Sequence, residues 1–515
     1  WDNIVDATHG HGTGIDVKGN LTVNGTLTLT GGAAQTGDLV FSGTAAQTVS
    51  GSGQYKLEDV KINNTGSGNV VIDCSFGIPG TLSFDNNAAK LSLNTGDITL
   101  QSGAVRTANV GKVPSGTTIN YSGAGRFIVE RYILTPRKWQ FLSVPNNTLQ
   151  TINQAWQEGK AAGSTTQTTP AGYGTQISTK TPSTLSALQA LGFDFYSPGG
   201  PSMKSWNTAT QNYVAPANTF LSIVNPAGYM LFVRGDRTQA GSSGSSTTIM
   251  RTRGQLLTGT QPAISIPAGK DVSIGNPYAS ALDMRTTPIP AQSVQTFYVW
   301  DPRLTGNYNL GGFRAFTKVG SDWGSTPGGG AYGGHPNFIP SGQAFFIKGG
   351  ASNGNLVIDE NAKGGDDYTA TFVADKPQLL RVNLLIRDNS ELTLTDGVMM
   401  HYQDGFNDAV DNNDGPKQKN LSEVVSIRYK NKLYAVMQKS PVADADTIFL
   451  NLEMMKARNY SWVINAENMD LDGRRAWLVD NYAQTKTALA LQGDTRIDFT
   501  IANNPASLAA DRFMI

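Results

Sequence analysis

The stretch Asn20-Leu-Thr-Val-Asn-Gly-Thr-Leu-Thr-Leu29 decides the fold of the first part of the chain, and Lys90-Leu-Ser-Leu-Asn-Thr-Gly-Asp-Ile-Thr-Leu-Gln101 repeats its pattern. Short runs of Leu, Val, Ile and Thr suit the pleated surface of a β-strand. The Gly and Asn residues between them tolerate the positive φ angles of tight turns. Similar runs recur at irregular spacing across residues 19–125. The pattern predicts a β-solenoid-like repeat domain, with a stack of short sandwich strands as the alternative.

From residue 126 onward the strands become longer and carry aromatic residues, as in Phe127-Ile-Val-Glu-Arg-Tyr-Ile133. Long Gly- and Pro-rich connections separate them, which is typical of all-β sandwiches with elaborate loops. We predict one helix at 151–162 and a hairpin whose turn is Lys430-Asn431.

The predicted fold class is therefore all-β, with a solenoid followed by two Ig-like or jelly-roll-like sandwiches. Residues 1–18 lack periodicity and are predicted to be a linker or a segment that pairs with another strand. The predicted domains are residues 1–18, 19–125, 126–366 and 367–515.

The amino-acid composition of the chain limits which classes of partner can be expected. Lys plus Arg and Asp plus Glu number 40 each, so the formal net charge is zero and nothing favours nucleic acid as a partner. No stretch approaches the roughly 20 apolar residues of a membrane-spanning helix, so no membrane span is predicted. A charged fraction of only 16% together with 57 glycines is typical of extracellular β-rich proteins. We therefore expect an exported protein located at the cell surface or outside the cell.

An acidic loop provides the candidate metal site. Carboxylates recur there together with Asn407, Asn412 and Asn413, and flexible loops of hard oxygen ligands suit Ca²⁺. The order of the residues does not match the Asp-x-Asp-x-Asp-Gly calcium loop, so a solvated turn rich in Asp and Asn is the alternative. The candidate calcium ligands are Asp404, Asp408, Asp411 and Asp414.

Catalytic motifs are not recognisable. None of the four histidines stands in the context of a Ser-His-Asp triad, and Gly103 to Lys112 lacks the spacing of a phosphate-binding loop. Glycoside hydrolysis needs only two carboxylates, which the sequence alone does not locate. We predict that the protein is not an enzyme.

Several aromatic residues lie in or near Gly-, Pro- and Asn-rich loops. Aromatic rings there either stack on sugar rings or pack over the core, and packing is the favoured interpretation. The residues concerned are Trp206, Trp300, Tyr308, Trp323 and Tyr332.

The chain also resembles a known family over residues 125–515. The blocks Gly228-Tyr-Met-Leu-Phe-Val-Arg-Gly-Asp236, Ile274-Gly-Asn-Pro-Tyr-Ala-Ser280 and Ile339-Pro-Ser-Gly-Gln-Ala-Phe-Phe346 resemble large secreted surface proteins of Bacteroidota that are cargo of the type IX secretion system. The C-terminal unit is similar to the β-sandwich that precedes their C-terminal sorting domain. This resemblance implies export by the type IX secretion machinery and display at the surface.

Three functions remain open at this point. The first is an extracellular structural or adhesive surface protein that self-associates into fibres, with residues 1–18 adding a strand to a neighbouring molecule. The second is a protein that binds or degrades extracellular glycans. The third is an inert spacer region of a type IX secretion cargo.

Overall fold

The computed structural model describes residues 3–5, 9–10, 14–29, 38–134, 137–165, 171–239, 246–304, 306, 310–328, 337–364, 378–442, 446–469, 471 and 473–515. The regular structure of the described part is almost all β, with a solenoid-like stack at its start, which confirms the predicted all-β class and the solenoid. It contains no helix that is long and apolar enough to cross a membrane.

The first part is a solenoid of parallel strands. Its strands are β1 Asn3–Val5, β2 His9–Gly10, β3 Ile15–Val17, β4 Leu21–Val23, β5 Thr26–Thr28, β6 Leu39–Phe41, β7 Gln47–Ser50, β8 Gln54–Lys56, β9 Val60–Ile62, β10 Val70–Ile72, β11 Phe76–Ile78, β12 Thr81–Phe84, β13 Lys90–Leu93, β14 Ile98–Leu100, β15 Asn109–Val110 and β16 Thr118–Tyr121.

Three faces run along this solenoid. One face is the six-stranded sheet β1-β4-β7-β10-β13-β16, the second is the five-stranded sheet β15-β12-β9-β6-β3, and the third contains β2-β5-β8 and then β11-β14. Alternate residues such as Leu21, Val49 and Ile72 point inward and form one buried column. β1, β2 and β3 lie within the segment predicted as a linker or pairing segment, and they pair with the next coil of the same chain.

A second region follows the solenoid. Its strands are β17 Phe127–Ile133, β18 Lys138–Leu142, β19 Asn146–Thr148, β20 Ser178–Thr179, β21 Phe195–Tyr196, β22 Met203–Asn207, β23 Asn212–Val214, β24 Tyr229–Val233, β25 Thr248–Leu256, β26 Ile264–Ile266, β27 Asp271–Gly275, β28 Leu282–Asp283, β29 Ser293–Asp301, β30 Gly312–Val319, β31 Asp322–Thr326, β32 Phe338–Ile339, β33 Ala344–Gly349 and β34 Gly354–Leu356. We call this the middle region. It contains the antiparallel sheets β18-β24-β22-β23 and β27-β33-β29-β30-β31.

Two short helices belong to the middle region, α1 Ile152–Trp156 and α2 Leu185–Ala190. Helix α1 begins with a capping box between Thr151 and Gln154. It is shorter than the predicted helix at 151–162 because Glu158 and Gly159 adopt positive φ angles of 55° and 65°, which end the helical path.

The last region forms one 11-stranded, nearly closed sheet. Its strands are β35 Gln378–Asp388, β36 Glu391–Tyr402, β37 Gly415–Pro416, β38 Val424–Tyr429, β39 Lys432–Lys439, β40 Phe449–Glu453, β41 Arg458–Glu467, β42 Trp477–Asp480, β43 Thr485–Ala488, β44 Gly493–Ile501 and β45 Phe513–Met514. We call this the C-terminal sheet. Its strands encircle a core that includes Trp462, Phe499 and Phe513.

The predicted hairpin is present, since β38 pairs with β39 and Lys430 and Asn431 have φ angles of 45° and 61°. The two predicted sandwiches are not confirmed. In the last region, the strands expected to form two facing sheets hydrogen-bond into a single sheet. The predicted boundary between 366 and 367 lies outside the described residues.

Candidate functional site

The acidic loop connects β36 to β37, and its carboxylates have different surroundings. Asp404 is exposed, and the exposed Asp408 accepts hydrogen bonds from the Ser440 hydroxyl (2.7 Å) and backbone N–H (3.3 Å). Asp411 caps the N–H of Asn413 at 2.7 Å. The four predicted ligands are therefore distributed along the loop and turned to different partners.

Asp414 is the buried member of this set, with 2% of its surface exposed. Its Oδ1 accepts the N–H of Gln438 (2.9 Å), and its Oδ2 accepts the N–H of Asp411 (3.0 Å). Burial raises the pKa of its carboxyl group, and these two hydrogen bonds oppose that shift. The two carboxylate oxygens of Asp414 thus accept one backbone N–H from the loop and one from β39.

Among the described residues no three His, Cys, Asp or Glu side chains are grouped so that they could hold one metal ion. The calcium site at Asp404, Asp408, Asp411 and Asp414 therefore stays a prediction. A local Asx turn, the alternative interpretation, accounts for the hydrogen bond between Asp411 and Asn413. Asp414 bonds instead to the N–H of Asp411 and to that of the distant Gln438.

The acidic loop instead contacts the middle region. The N–H of Gln295 donates to the carbonyl of Asn412 (2.6 Å), and the Asn412 amide donates to the carbonyl of Ala291 (3.3 Å). The hydroxyl of Tyr298 donates to the carbonyl of Pro416 (2.7 Å), just beyond the loop. These bonds dock the loop onto strand β29 and the segment before it.

We expect Asp414→Ala to lower the free energy of unfolding by about 1–3 kcal/mol, since it leaves the buried N–H of Gln438 and the partly buried N–H of Asp411 without their acceptor. Asp404→Ala is the matched control, and it should change stability by less than about 0.5 kcal/mol because the side chain is exposed. Urea unfolding of the two variants measures this difference. Equal losses would contradict the assignment of Asp414 as the anchor of the loop.

The contact between the C-terminal sheet and the middle region extends beyond the acidic loop. Asn383 lies in an apolar strand, and its amide exchanges two hydrogen bonds with the backbone of Gly328 (2.9 and 3.1 Å). Asn420 accepts the N–H of Phe313 at 2.7 Å. An apolar core shared by the two regions surrounds these contacts and includes Trp300, Phe313, Phe346, Leu379, Met399 and Val436.

The solenoid joins the middle region through a shared strand. β17 pairs in parallel with β14 of the solenoid and antiparallel with β25, so one sheet crosses the junction. Arg253 on β25 binds the Asp97 carboxylate with two bonds of 2.9 and 2.8 Å. The N–H of Val113 donates to Glu360 at 2.8 Å, which adds a second point of attachment.

Three of the five candidate aromatic residues lie in the described part of the chain, and they pack against other side chains of the protein. Trp300 and Trp323 are 3% and 1% exposed, and Trp206 packs against Tyr213 and Phe346. The geometry of these three therefore agrees with core packing, whereas Tyr308 and Tyr332 lie outside the described residues.

Two carboxylates of the middle region have raised pKa values because they are buried, namely those of Glu130 and Glu158. Glu158 forms a bidentate pair with Arg251, and Glu130 accepts the N–H of Ser102. The cavity beside Glu130 has a volume of only about 10 Å³, which is less than a sugar ring occupies. Glu158 thus links the end of α1 to β25, and Glu130 links the end of the solenoid to β17.

Two surface clefts are both lined by the exposed residue Asn147. The first has about 570 Å³ and is lined by Leu149, Gln154, Gln255 and neighbouring residues. The second has about 490 Å³ and an uncharged wall that includes Pro226, Pro262 and Ile264. Leu149, which lines the first cleft, is 94% exposed. These clefts are the candidate ligand-binding surface of the described residues, and no sequence motif indicated them.

No protein-family model matches the chain, and no curated protein or solved structure matches it either. The resemblance to type IX secretion cargo therefore stays a prediction that rests on the sequence blocks alone.

Proposed function

We propose that this chain is an extracellular structural or adhesive protein of the cell surface, built as one stiff body. The observation that carries the proposal is the sheet that runs from β14 through the shared strand β17 into β25. A hydrogen-bonded sheet resists bending more than a linker does. A protein that holds a binding face away from a surface, or that forms a fibre, needs such continuity.

The two junctions support this proposal through their chemistry. The solenoid junction combines strand pairing with the Arg253–Asp97 ion pair. The second junction combines a shared apolar core with hydrogen bonds that Asn383 and Asn412 donate and one that Asn420 accepts. Buried polar groups that find partners across a junction favour one relative orientation of its two sides.

Export by the type IX secretion machinery and self-association into fibres belong to the same proposal. The first rests on the sequence resemblance, and the second on the solenoid, whose coils stack by parallel pairing. An inert spacer would share the stiffness, and it would remain a monomer that binds nothing.

Electron microscopy of the purified full chain over a range of concentrations tests this proposal. We expect particles of one shape, with the solenoid at a fixed angle to the rest, and end-to-end assembly or attachment to a cell or mineral surface. Particles with variable angles between the regions would contradict the stiff body. Rigid monomers that attach to nothing would favour the spacer.

Glycan binding is the second candidate function, and the clefts around Asn147 favour it. The amide groups of Asn147, Gln154 and Gln255 are exposed there and suit the donor and acceptor pattern of sugar hydroxyls. A glycan array with the full chain tests this candidate. Binding that is lost in the Asn147→Ala, Gln255→Ala double variant would favour it over a purely structural role.

A further inference from the structure

His401 lies on the face of the C-terminal sheet that packs against the middle region. It is 1% exposed and pairs across strands with Leu379 and Gln438, whose side chains point to the same face. Leu379 belongs to the apolar core shared by the two regions. Gln438 donates its amide to the hydroxyl of Thr317 on β30 at 2.9 Å. The imidazole is therefore buried within the interface between the two regions.

The imidazole ring of His401 has few polar contacts. Phe406 of the acidic loop packs edge-to-face on it, with 4.9 Å between the ring centroids. Neither ring nitrogen makes a hydrogen bond of standard geometry within the described part of the chain, although the nearby backbone of Lys318 favours the protonated form. Such a site accommodates a neutral imidazole and disfavours an imidazolium.

The charges facing this ring come from both regions. Arg381 on β35 is 7% exposed and disfavours a second positive charge. Its partner Glu467 has 35% of its side chain exposed, so solvent weakens the compensation it supplies. On β30, Lys318 lies at the edge of the interface with its ammonium group near Trp323. Burial and then Arg381 lower the pKa of His401 to about 4.

We propose that this interface is an acid-sensitive latch, in which protonation of His401 weakens the docking of the C-terminal sheet on the middle region while each keeps its own core. Alternation along β36 makes the separation selective. Met399 and His401 point toward the middle region, whereas Met400 and Tyr402 point into the core of the C-terminal sheet. That core includes Trp462, which is fully buried, and none of its buried residues belongs to the core shared with the middle region.

The pH window follows from the two states. In the separated state the imidazole meets water and titrates near its ordinary pKa of about 6.5. The equilibrium constant for docking is therefore largest above pH 6.5, and it decreases as the pH falls from 6.5 toward about 4. At pH 5 the docking equilibrium should be weaker by about 30-fold than at pH 7.5.

The test compares the full chain with His401→Phe, which keeps an aromatic ring beside Phe406 and cannot titrate. Small-angle X-ray scattering and amide hydrogen exchange are measured from pH 7.5 to pH 4.5, with both proteins at each pH. We expect the native chain to lose protection in β30 and β39 progressively as the pH falls below 6, and to expand toward pH 4.5, while β41 stays protected. The variant should stay compact over the same range.

Two results would overturn the latch. One is the same expansion in His401→Phe, which would assign the transition to other groups. The other is loss of protection in β41 together with β39, which would mean that acid unfolds the whole sheet. If His401→Phe does not fold, His401→Gln replaces it, because glutamine is also neutral at every pH of the series.

Discussion

Replacing Arg237 by alanine should lower the free energy of unfolding of the middle region by about 3–5 kcal/mol. Arg237 and Asp194 form an ion pair in which both side chains are 0% exposed. The two guanidinium bonds measure 2.9 and 2.7 Å. The variant removes the positive charge and leaves the carboxylate in a place that water does not reach, which is the costly way to break a buried pair.

Asp194 is the centre of a larger network, which explains why the loss should extend beyond one contact. Its oxygens also accept the side-chain amide of Gln157 (2.7 Å) and the N–H groups of Gly163 (2.9 Å) and Ile177 (2.6 Å). These donors come from two stretches of the chain, residues 157–163 and the segment at Ile177. Without Arg237 the carboxylate keeps only neutral donors, so the segments around it should loosen together.

Arg496→Ala is the matched control for this prediction. Arg496 also binds a carboxylate, that of Asp498, but its side chain is 48% exposed. An exposed pair contributes about 0–1 kcal/mol, so this variant should unfold close to the native chain in urea. A loss in Arg237→Ala no larger than that in Arg496→Ala would show that the buried pair does not hold the middle region together.

Gly51→Ala should cost about 3 kcal/mol or more, through a clash between coils of the solenoid. Gly51 has a φ of 107°, a conformation that residues with a Cβ rarely adopt. A Cβ built there would lie 2.1 Å from the carbonyl oxygen of Val23 in the neighbouring coil. That carbonyl also accepts the N–H of Gly53 at 2.7 Å, so it cannot move without losing a coil-to-coil bond.

Gly103→Ala is the control for Gly51→Ala. It lies in the same solenoid, and a Cβ there would meet its nearest neighbour at 3.9 Å, an ordinary contact. Thermal unfolding followed by circular dichroism should lower the midpoint for Gly51→Ala and leave that of Gly103→Ala nearly unchanged. Equal midpoints in the two variants would contradict close packing between the coils.

The solenoid was predictable because its information is local. Each short run alternates inward and outward residues, as with Leu21 and Val23 on either side of Thr22, and turn residues mark each corner. The hairpin at Lys430-Asn431 was predictable for the same reason, since these residues separate two strand-forming runs, and the structure gives both of them the positive φ of a hairpin turn. Such signals act over a few residues and do not depend on the rest of the fold.

The acidic loop shows where local information fails. Carboxylates close in sequence suggested shared ligation, yet Asp414 turns to the backbone of β39 and Asp408 to Ser440. Which partner a side chain takes depends on strands more than 20 residues away. One available signal was Asn383, because a polar residue in an apolar strand needs a partner once it is buried.

The sequence by itself determined the all-β class, the solenoid repeats and the turns, because propensity and the two-residue period of a strand act over short distances. Only the tertiary structure decided that β17 joins two regions, that Arg237 meets Asp194, and that His401 is buried between two sheets. Pairing between distant segments depends on how sheets stack and on which polar groups water can no longer reach. Those properties belong to the assembled chain, so no short stretch of residues encodes them.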